Sequence, residues 1–226
     1  MTTTALIVGN SDGIGLALTR RLLGMGWRVA GISRSDSPIE HVSYTHHVTD
    51  VTLDDFIEVL RKHMAAGAPD IFIYAAGIGE LCDPRSMEHE VHVIEVNVLG
   101  IVRALSLVVP AMVERGSGHI IGLSSLADEL LSAEAPSYHA SKAGFTSYLR
   151  SLGLALKTHG VDVTTLRFGF VDTKMAKGDI KPLMMSVEQA AQHIERCIEK
   201  RPAVYTAPKL AVPLVKFRKW MMRFSR

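Results

Sequence analysis

Residues Ala5–Leu18, "ALIVGNSDGIGLAL", join a short apolar run to helically spaced residues through three glycines, Gly9, Gly13 and Gly15. Leu6–Val8 has the pattern of a buried strand. Ile14, Leu16, Leu18 and Leu22 recur at helical spacing, so the stretch predicts strand, tight turn, then helix over Gly13–Gly24. Glycines at such a turn let the backbone bend sharply. They also let a pyrophosphate approach the amides at the helix N-terminus. A glycine turn by itself can equally be a plain tight connection, so the remainder of the chain decides between the two.

That remainder keeps alternating. Strand patterns fall at Val29–Ile32, around Val42–Val48, and at Ile71–Ala75, His119–Leu123, Val161–Phe168 and Ala203–Tyr205. Helical patterns run over Leu53–Met64, Glu88–Glu114, Pro136–Thr158 and Val187–Lys200. Such alternation predicts an α/β fold: a Rossmann-type, doubly wound three-layer sandwich, its parallel sheet of seven strands covered by helices on both faces. Ligands in these sheets sit beyond the carboxyl ends of the strands, where the strand order switches. Residues 1–206 are expected to form one dinucleotide-binding catalytic domain, with 207–226 a basic amphipathic segment of the same domain.

Composition narrows the function classes. The 226 residues are 47% apolar and 21% charged with net charge +2, an ordinary globular balance that gives no reason to expect nucleic acid as a partner. Cys82 and Cys197 are too few for a disulfide framework, which makes a reducing cytoplasm the default. The N-terminus enters a strand pattern directly, without the basic start and apolar core of a signal peptide. The run "ALSLVVPAMV" is bounded by Arg103 and Glu114, short of the roughly 18 apolar residues a membrane span needs. Histidines at 41, 46, 47, 89 and 92 raise the question of a metal. Glu88 and Glu90 beside the last two read as solvated helix surface, and no metal site is expected.

Residues 135–142, "APSYHASK", hold the reactive pair. Tyr138 and Lys142 are four apart and share a helix face, where an ammonium can make a phenol more acidic. Such a pair is common by chance, but Ser125 lies thirteen residues upstream at a strand end, in "HIIGLSSL". Its neighbour Ser124 should point to the opposite face. Asn97, in "EVNVLG", is an amide among apolar helix positions, where it is locally disfavoured. After the second strand, "AGISRSDS" puts Ser33 where an acid would bind the ribose 2′-hydroxyl of NAD, and Arg34 follows. A guanidinium there suits a 2′-phosphate, against which Asp12 and Asp36 weigh mildly, so NADP(H) is preferred over NAD(H).

Together, G-x-x-x-G-x-G, the Ser…Tyr-x-x-x-Lys spacing and Asn97 resemble the short-chain dehydrogenase/reductase family over about residues 4–206. The resemblance implies that Asn97, Ser125, Tyr138 and Lys142 are the catalytic set of a carbonyl/alcohol oxidoreductase, with Tyr138 as acid/base. It also implies cofactor contacts from Gly9, Asn10, Ser11, Asp12, Gly13, Ile14 and Gly15, from Ser33 and Arg34, from Asp50-Val51 ("TDV"), and from Ala75, Ala76 and Gly77. Val171 and Thr173 would meet the nicotinamide carboxamide, and Asn97 would hold a water linking Lys142 to solvent. Homodimers or homotetramers acting on small molecules are implied as well. The chain departs from the pattern at Val8, at Tyr74 and Ala75 (asparagines in relatives, which tie strands together) and at Phe168 (proline in relatives). An alternative of another class is a dinucleotide-binding regulatory or scaffold protein without turnover.

Two regions bear on partners. The loop Ala127–Ala135 and a lid at Met175–Met185 are rich in Leu and Met and should close the substrate pocket. The final "PKLAVPLVKFRKWMMRFSR" is basic and aromatic: either a helix docked on the domain or on a partner subunit, or one lying on an anionic membrane.

Overall fold

The computed structural model describes residues 2–175 and 182–222, so part of the expected lid, 176–181, lies outside the described residues. Strands β1 (Thr4–Val8), β2 (Arg28–Ser33), β3 (Tyr44–Val48), β4 (Ile71–Tyr74), β5 (Gly118–Ser125), β6 (Val161–Phe168) and β7 (Val204–Ala207) form one sheet in the order β3-β2-β1-β4-β5-β6-β7. Every pairing is parallel. The order reverses between β1 and β4, and this switch point opens the crevice in which doubly wound sheets bind ligands. β5 runs on to Ser125, two residues beyond the expected end, and so carries that serine to the rim of the sheet.

Helices cover both faces. On one, α1 (Gly13–Gly24) and α6 (Val187–Lys200) pack Leu18, Leu22, Ile194 and Cys197 against Ile7, Ile73 and Leu166. On the other, α2 (Asp54–Ala65), α4 (Gly100–Arg115) and α5 (Pro136–Leu156) pack Phe56, Leu60, Leu105, Phe145 and Leu149 against Leu6, Phe72 and Ile120. Strands buried on both faces need continuous apolar runs, which is why β1 and β4 read without alternation.

The long helix expected over Glu88–Glu114 is interrupted. α3 (Glu88–Ile94) passes into a π-type turn at Glu95–Leu99, where Gly100 N–H bonds to Glu95 O, before α4 resumes. Residues Glu88–Arg115 are long and apolar enough to cross a membrane, yet Ile101, Ala104, Leu105, Val108 and Met112 are buried in the core, which accounts for their apolarity. α7 (Ala211–Met222) follows β7 and rests on the 3₁₀ turn Leu126–Glu129 through Ala211, Val215, Leu126 and Leu130.

Candidate active site

The glycine loop is built for close approach. Gly9 has φ +87°, and a Cβ there would lie 2.4 Å from Ala76 N. This contact joins the β1 turn to the β4 turn, where Ala75 and Ala76 both donate to Val8 O at 2.8 and 2.9 Å. A Cβ on Gly15 would lie 2.0 Å from Gly9 O, so α1 starts hard against the loop. Asp12 caps α1 by accepting from Gly13 N at 2.8 Å and pairs with Lys174. These two contacts hold its carboxyl below the ordinary value, the Lys174 hydrogen bond more than the amide. Beyond Gly13 N, which Asp12 occupies, the first-turn amides of α1 are the donors an anionic pyrophosphate needs. Thr173 lies over Gly13, 3.3 Å from where a Cβ would stand, and Val171 is buried beside it.

Asn10, expected as a cofactor contact, turns its side chain away from this loop. Its Nδ2 donates to Tyr44 Oη at 2.6 Å and lies under Gly31, where a Cβ would come within 2.0 Å of it. Tyr44 Oη bonds to His46 Nδ1 (3.0 Å), and Ser33 Oγ lies 3.5 Å from Asn10 Oδ1 and 3.3 Å from His46 Nε2. Asn10 and Ser33 are thus cross-links between the glycine loop, β2 and β3. A buried amide must find partners, and β3 supplies them. Arg34, one residue on, is exposed, and among the described residues no carboxylate pairs with it. Asp50 accepts from Thr52 N and Oγ1 at 2.9 and 2.8 Å, and Val51 is buried.

The expected reacting groups converge at the carboxyl ends of β4 and β5. Lys142 is buried on α5 and donates to Leu123 O at 3.1 Å, its Nζ 5.8 Å from the centre of the Tyr138 ring. Ser125 stands beside the Tyr138 hydroxyl and lowers its pKa, and Ser125 Oγ accepts from Ala127 N at 3.1 Å. Ser124 does face the other way, toward Thr146 Oγ1 at 2.6 Å. Gly77 and Gly79 line the opposite wall: a Cβ on Gly77 would stand 3.3 Å from Asn97 Oδ1 and 3.4 Å from Lys142 Nζ, and one on Gly79 3.2 Å from Tyr138 Cδ2. Met175, at the start of the expected lid, reaches within 3.8 Å of the same point over Gly77.

Asn97 falls in the π-type turn. Its Oδ1 accepts from Ile78 N (2.8 Å), and its Nδ2 donates to Ile78 O (2.9 Å) and Ser141 Oγ (2.9 Å), so the amide clamps the β4 loop to α5. Tyr74, where relatives have an asparagine, makes a tie of another kind. Its buried hydroxyl donates to Val96 O at 2.7 Å, tying β4 to the π-type turn.

Electrostatics differ from the sequence expectation at one point. Burial raises the Tyr138 phenol above its ordinary value and Asp128 adds to this, while Ser125 opposes both. Lys142 makes no hydrogen bond to the hydroxyl; burial brings its own pKa down to about 8, with Asp128 opposing. The net shift favours the protonated phenol, the state a proton donor requires.

Beneath these groups lies a network that sequence spacing did not suggest. Arg167 of β6 pairs bidentately with Asp128 at 2.7 and 2.6 Å, and Thr146 donates to Asp128 at 2.8 Å. The Asp128 side chain is only 2% exposed, so the ion pair fixes the turn after Ser125 to β6 and the Thr146 bond fixes it to α5. Glu90 departs from the solvated surface expected of it: its carboxylate accepts from Ser137 N at 3.0 Å and caps the start of α5 beside Pro136. Phe168, in place of proline, is buried among the α6 contacts. Among the described residues no three His, Cys, Asp or Glu side chains gather as a metal site would require.

Comparison with known proteins decides what this geometry belongs to. A family profile described as "short chain dehydrogenase" matches residues 3–182, most of the chain. The chain belongs to the short-chain dehydrogenase family. Among curated relatives, an uncharacterized oxidoreductase of Myxococcus xanthus is 31% identical, the match covering 93% of this chain and 89% of that protein. The 3-oxoacyl-[acyl-carrier-protein] reductase of Salmonella typhimurium is 28% identical over 76% of this chain and 75% of its own. A short-chain dehydrogenase from Burkholderia cenocepacia, solved in complex with NADP, has a TM-score of 0.84 at 21% identity, covering 95% of this chain and 92% of that one. As a member of this family the chain is an oxidoreductase of the nicotinamide-dependent type.

Proposed function

We propose that this short-chain dehydrogenase interconverts a carbonyl and an alcohol with NADP(H), using Tyr138 as the acid/base. The observation that carries the reading is the convergence of Ser125, Tyr138 and a buried Lys142 at the end of β5, against the Gly77–Gly79 wall at the switch point. Bound nicotinamide supplies or takes up the hydride.

The fit of a dinucleotide rests on the glycine contacts. Gly13 keeps the space below Thr173 clear of a Cβ, and Gly77 does the same over Lys142. The Gly9–Gly15 backbone, Arg34, Asp50, Val51, Ala76, Gly77, Val171 and Thr173 are the residues that would hold the cofactor. Arg34 supports NADP(H) over NAD(H), because an exposed guanidinium with no carboxylate partner among the described residues can pair with a 2′-phosphate. The NADP bound by the Burkholderia relative agrees with this choice.

In the reducing direction, Ser125 Oγ donates to the substrate oxygen and Tyr138 gives it a proton. The phenolate left behind is favoured by the Lys142 ammonium. Asn97 keeps the Gly77–Gly79 wall against these groups through Ile78 and Ser141. The two free cysteines support a reducing cytoplasmic setting, and a homodimer or homotetramer would cover the exposed Leu99 and Leu154. The test is NADPH oxidation by the purified protein over a panel of ketones and aldehydes; cofactor binding with no turnover across the panel would favour the regulatory alternative. For the cofactor, Arg34→Ala should raise KM for NADPH by about tenfold, one charge-assisted contact, and leave NADH nearly unchanged; equal effects on both would refute the assignment.

A further inference from the structure

α7 carries two apolar stripes where a helix docked on its own domain needs one. Ala211 and Val215, each 8% exposed, face Leu126 and Leu130. At 100° per residue, Leu214, Phe217, Trp220 and Met221 fall together on the other side of the helix, and they are 44%, 56%, 55% and 50% exposed. The same helical spacing sets Lys216 and Arg218 at the two borders of this outer stripe. Residues 208–226 contain six cationic side chains (Lys209, Lys216, Arg218, Lys219, Arg223 and Arg226) and no acidic one. Of these, Lys219 is engaged with Glu129 at 3.1 Å, on the inner side.

We propose that the outer face of α7 is a docking surface for an anionic lipid bilayer, with Phe217, Trp220, Leu214 and Met221 entering the headgroup boundary and Lys216 and Arg218 meeting the lipid charge. Charge decides between this occupant and a second copy of the chain. Two α7 helices packed about a two-fold axis would set Lys216 and Arg218 against their own copies, which costs affinity, whereas phosphate and carboxylate headgroups complement them. An aromatic pair on the apolar side, with basic residues bordering it, is also the composition an interfacial helix needs. Because α7 rests on the turn that follows Ser125, docking places that turn one helix diameter from the bilayer. Leu131, 78% exposed beside the buried Leu130, stands on the same loop.

The full-length protein is tested by co-sedimentation with vesicles of phosphatidylcholine alone or mixed with phosphatidylserine. Binding is expected to the mixed vesicles, to weaken as salt rises, and to fall by about a hundredfold in the double variant Phe217→Ser/Trp220→Ser, two apolar side chains being removed. Lys216→Gln and Arg218→Gln should each lower it by about fivefold. NADPH binding and urea unfolding of the double variant serve as the check that the domain is intact. The proposal is overturned if the mixed vesicles sediment none of the wild-type protein, or if the folded double variant sediments equally well. A smaller particle mass by light scattering in that variant, without vesicle binding by the wild type, would make the face a subunit interface.

Discussion

Tyr74 and Gly100 should be energetically coupled. The Tyr74 hydroxyl donates to Val96 O at 2.7 Å inside the core, and a Cβ on Gly100 would stand 2.1 Å from that same hydroxyl. Tyr74→Phe removes the donor and leaves the Val96 carbonyl without it, at a cost of about 1–3 kcal/mol. Gly100→Ala alone recovers about 1 kcal/mol of helix propensity but drives the new methyl into the Tyr74 hydroxyl, an overpacking cost of about 1–3 kcal/mol. In the Tyr74→Phe background the colliding oxygen is gone, although Val51 Cγ2 still lies 3.0 Å from the Cβ position. The double variant should therefore be more stable than the sum of the single ones by about 1 kcal/mol or more. Urea unfolding of the four proteins measures this. Additivity within about 0.5 kcal/mol would refute the claim that this hydroxyl holds the π-type turn and, through it, Asn97.

Other outcomes follow from buried ionisable groups. His119 sits in the core with Nε2 2.9 Å from Thr164 Oγ1, and burial brings its pKa down to about 4. Below about pH 6.5 the unfolded chain takes up a proton that the folded one refuses, so stability falls with acidity between about 6.5 and 4, by about 3 kcal/mol in all; His119→Gln should flatten that slope in urea melts at a series of pH values. Arg167→Met strands the Asp128 carboxylate and should destabilise by about 3–5 kcal/mol, while Asp128→Asn, which leaves Glu129 to face Arg167, should cost less; the reverse order in thermal melts would contradict the buried pair.

The parts of the molecule that sequence made legible are those with local signatures. β1, the glycine loop and α1 were readable because period, turn residues and helix spacing change within fourteen residues. Tyr138, Lys142 and Ser125 were readable from their spacing, which survives because they sit on one helix and one strand end. What escaped was set by contacts remote in sequence. Asn10 looked like part of the phosphate loop, but Tyr44 and His46 on β3, more than thirty residues on, draw its amide inward. Glu90 looked like helix surface until α5 presented an unpaired N-terminal amide to it. The effect on Tyr138 acidity also needed three dimensions, since burial and Asp128 oppose Ser125 there and neither is visible from an i, i+4 spacing. The one available hint was Tyr74 in an otherwise aliphatic strand: a buried phenol must find an acceptor, and Val96 O is that acceptor.

The central claim is that Tyr138 transfers the proton that accompanies hydride transfer. The direct measurement is steady-state NADPH oxidation with the best ketone or aldehyde found, for wild type and Tyr138→Phe, with NADPH binding followed in parallel by fluorescence. Loss of one general acid predicts a fall in kcat of about 10²–10⁴-fold with NADPH affinity retained. A Tyr138→Phe protein that binds NADPH and turns over at the wild-type rate would contradict the account.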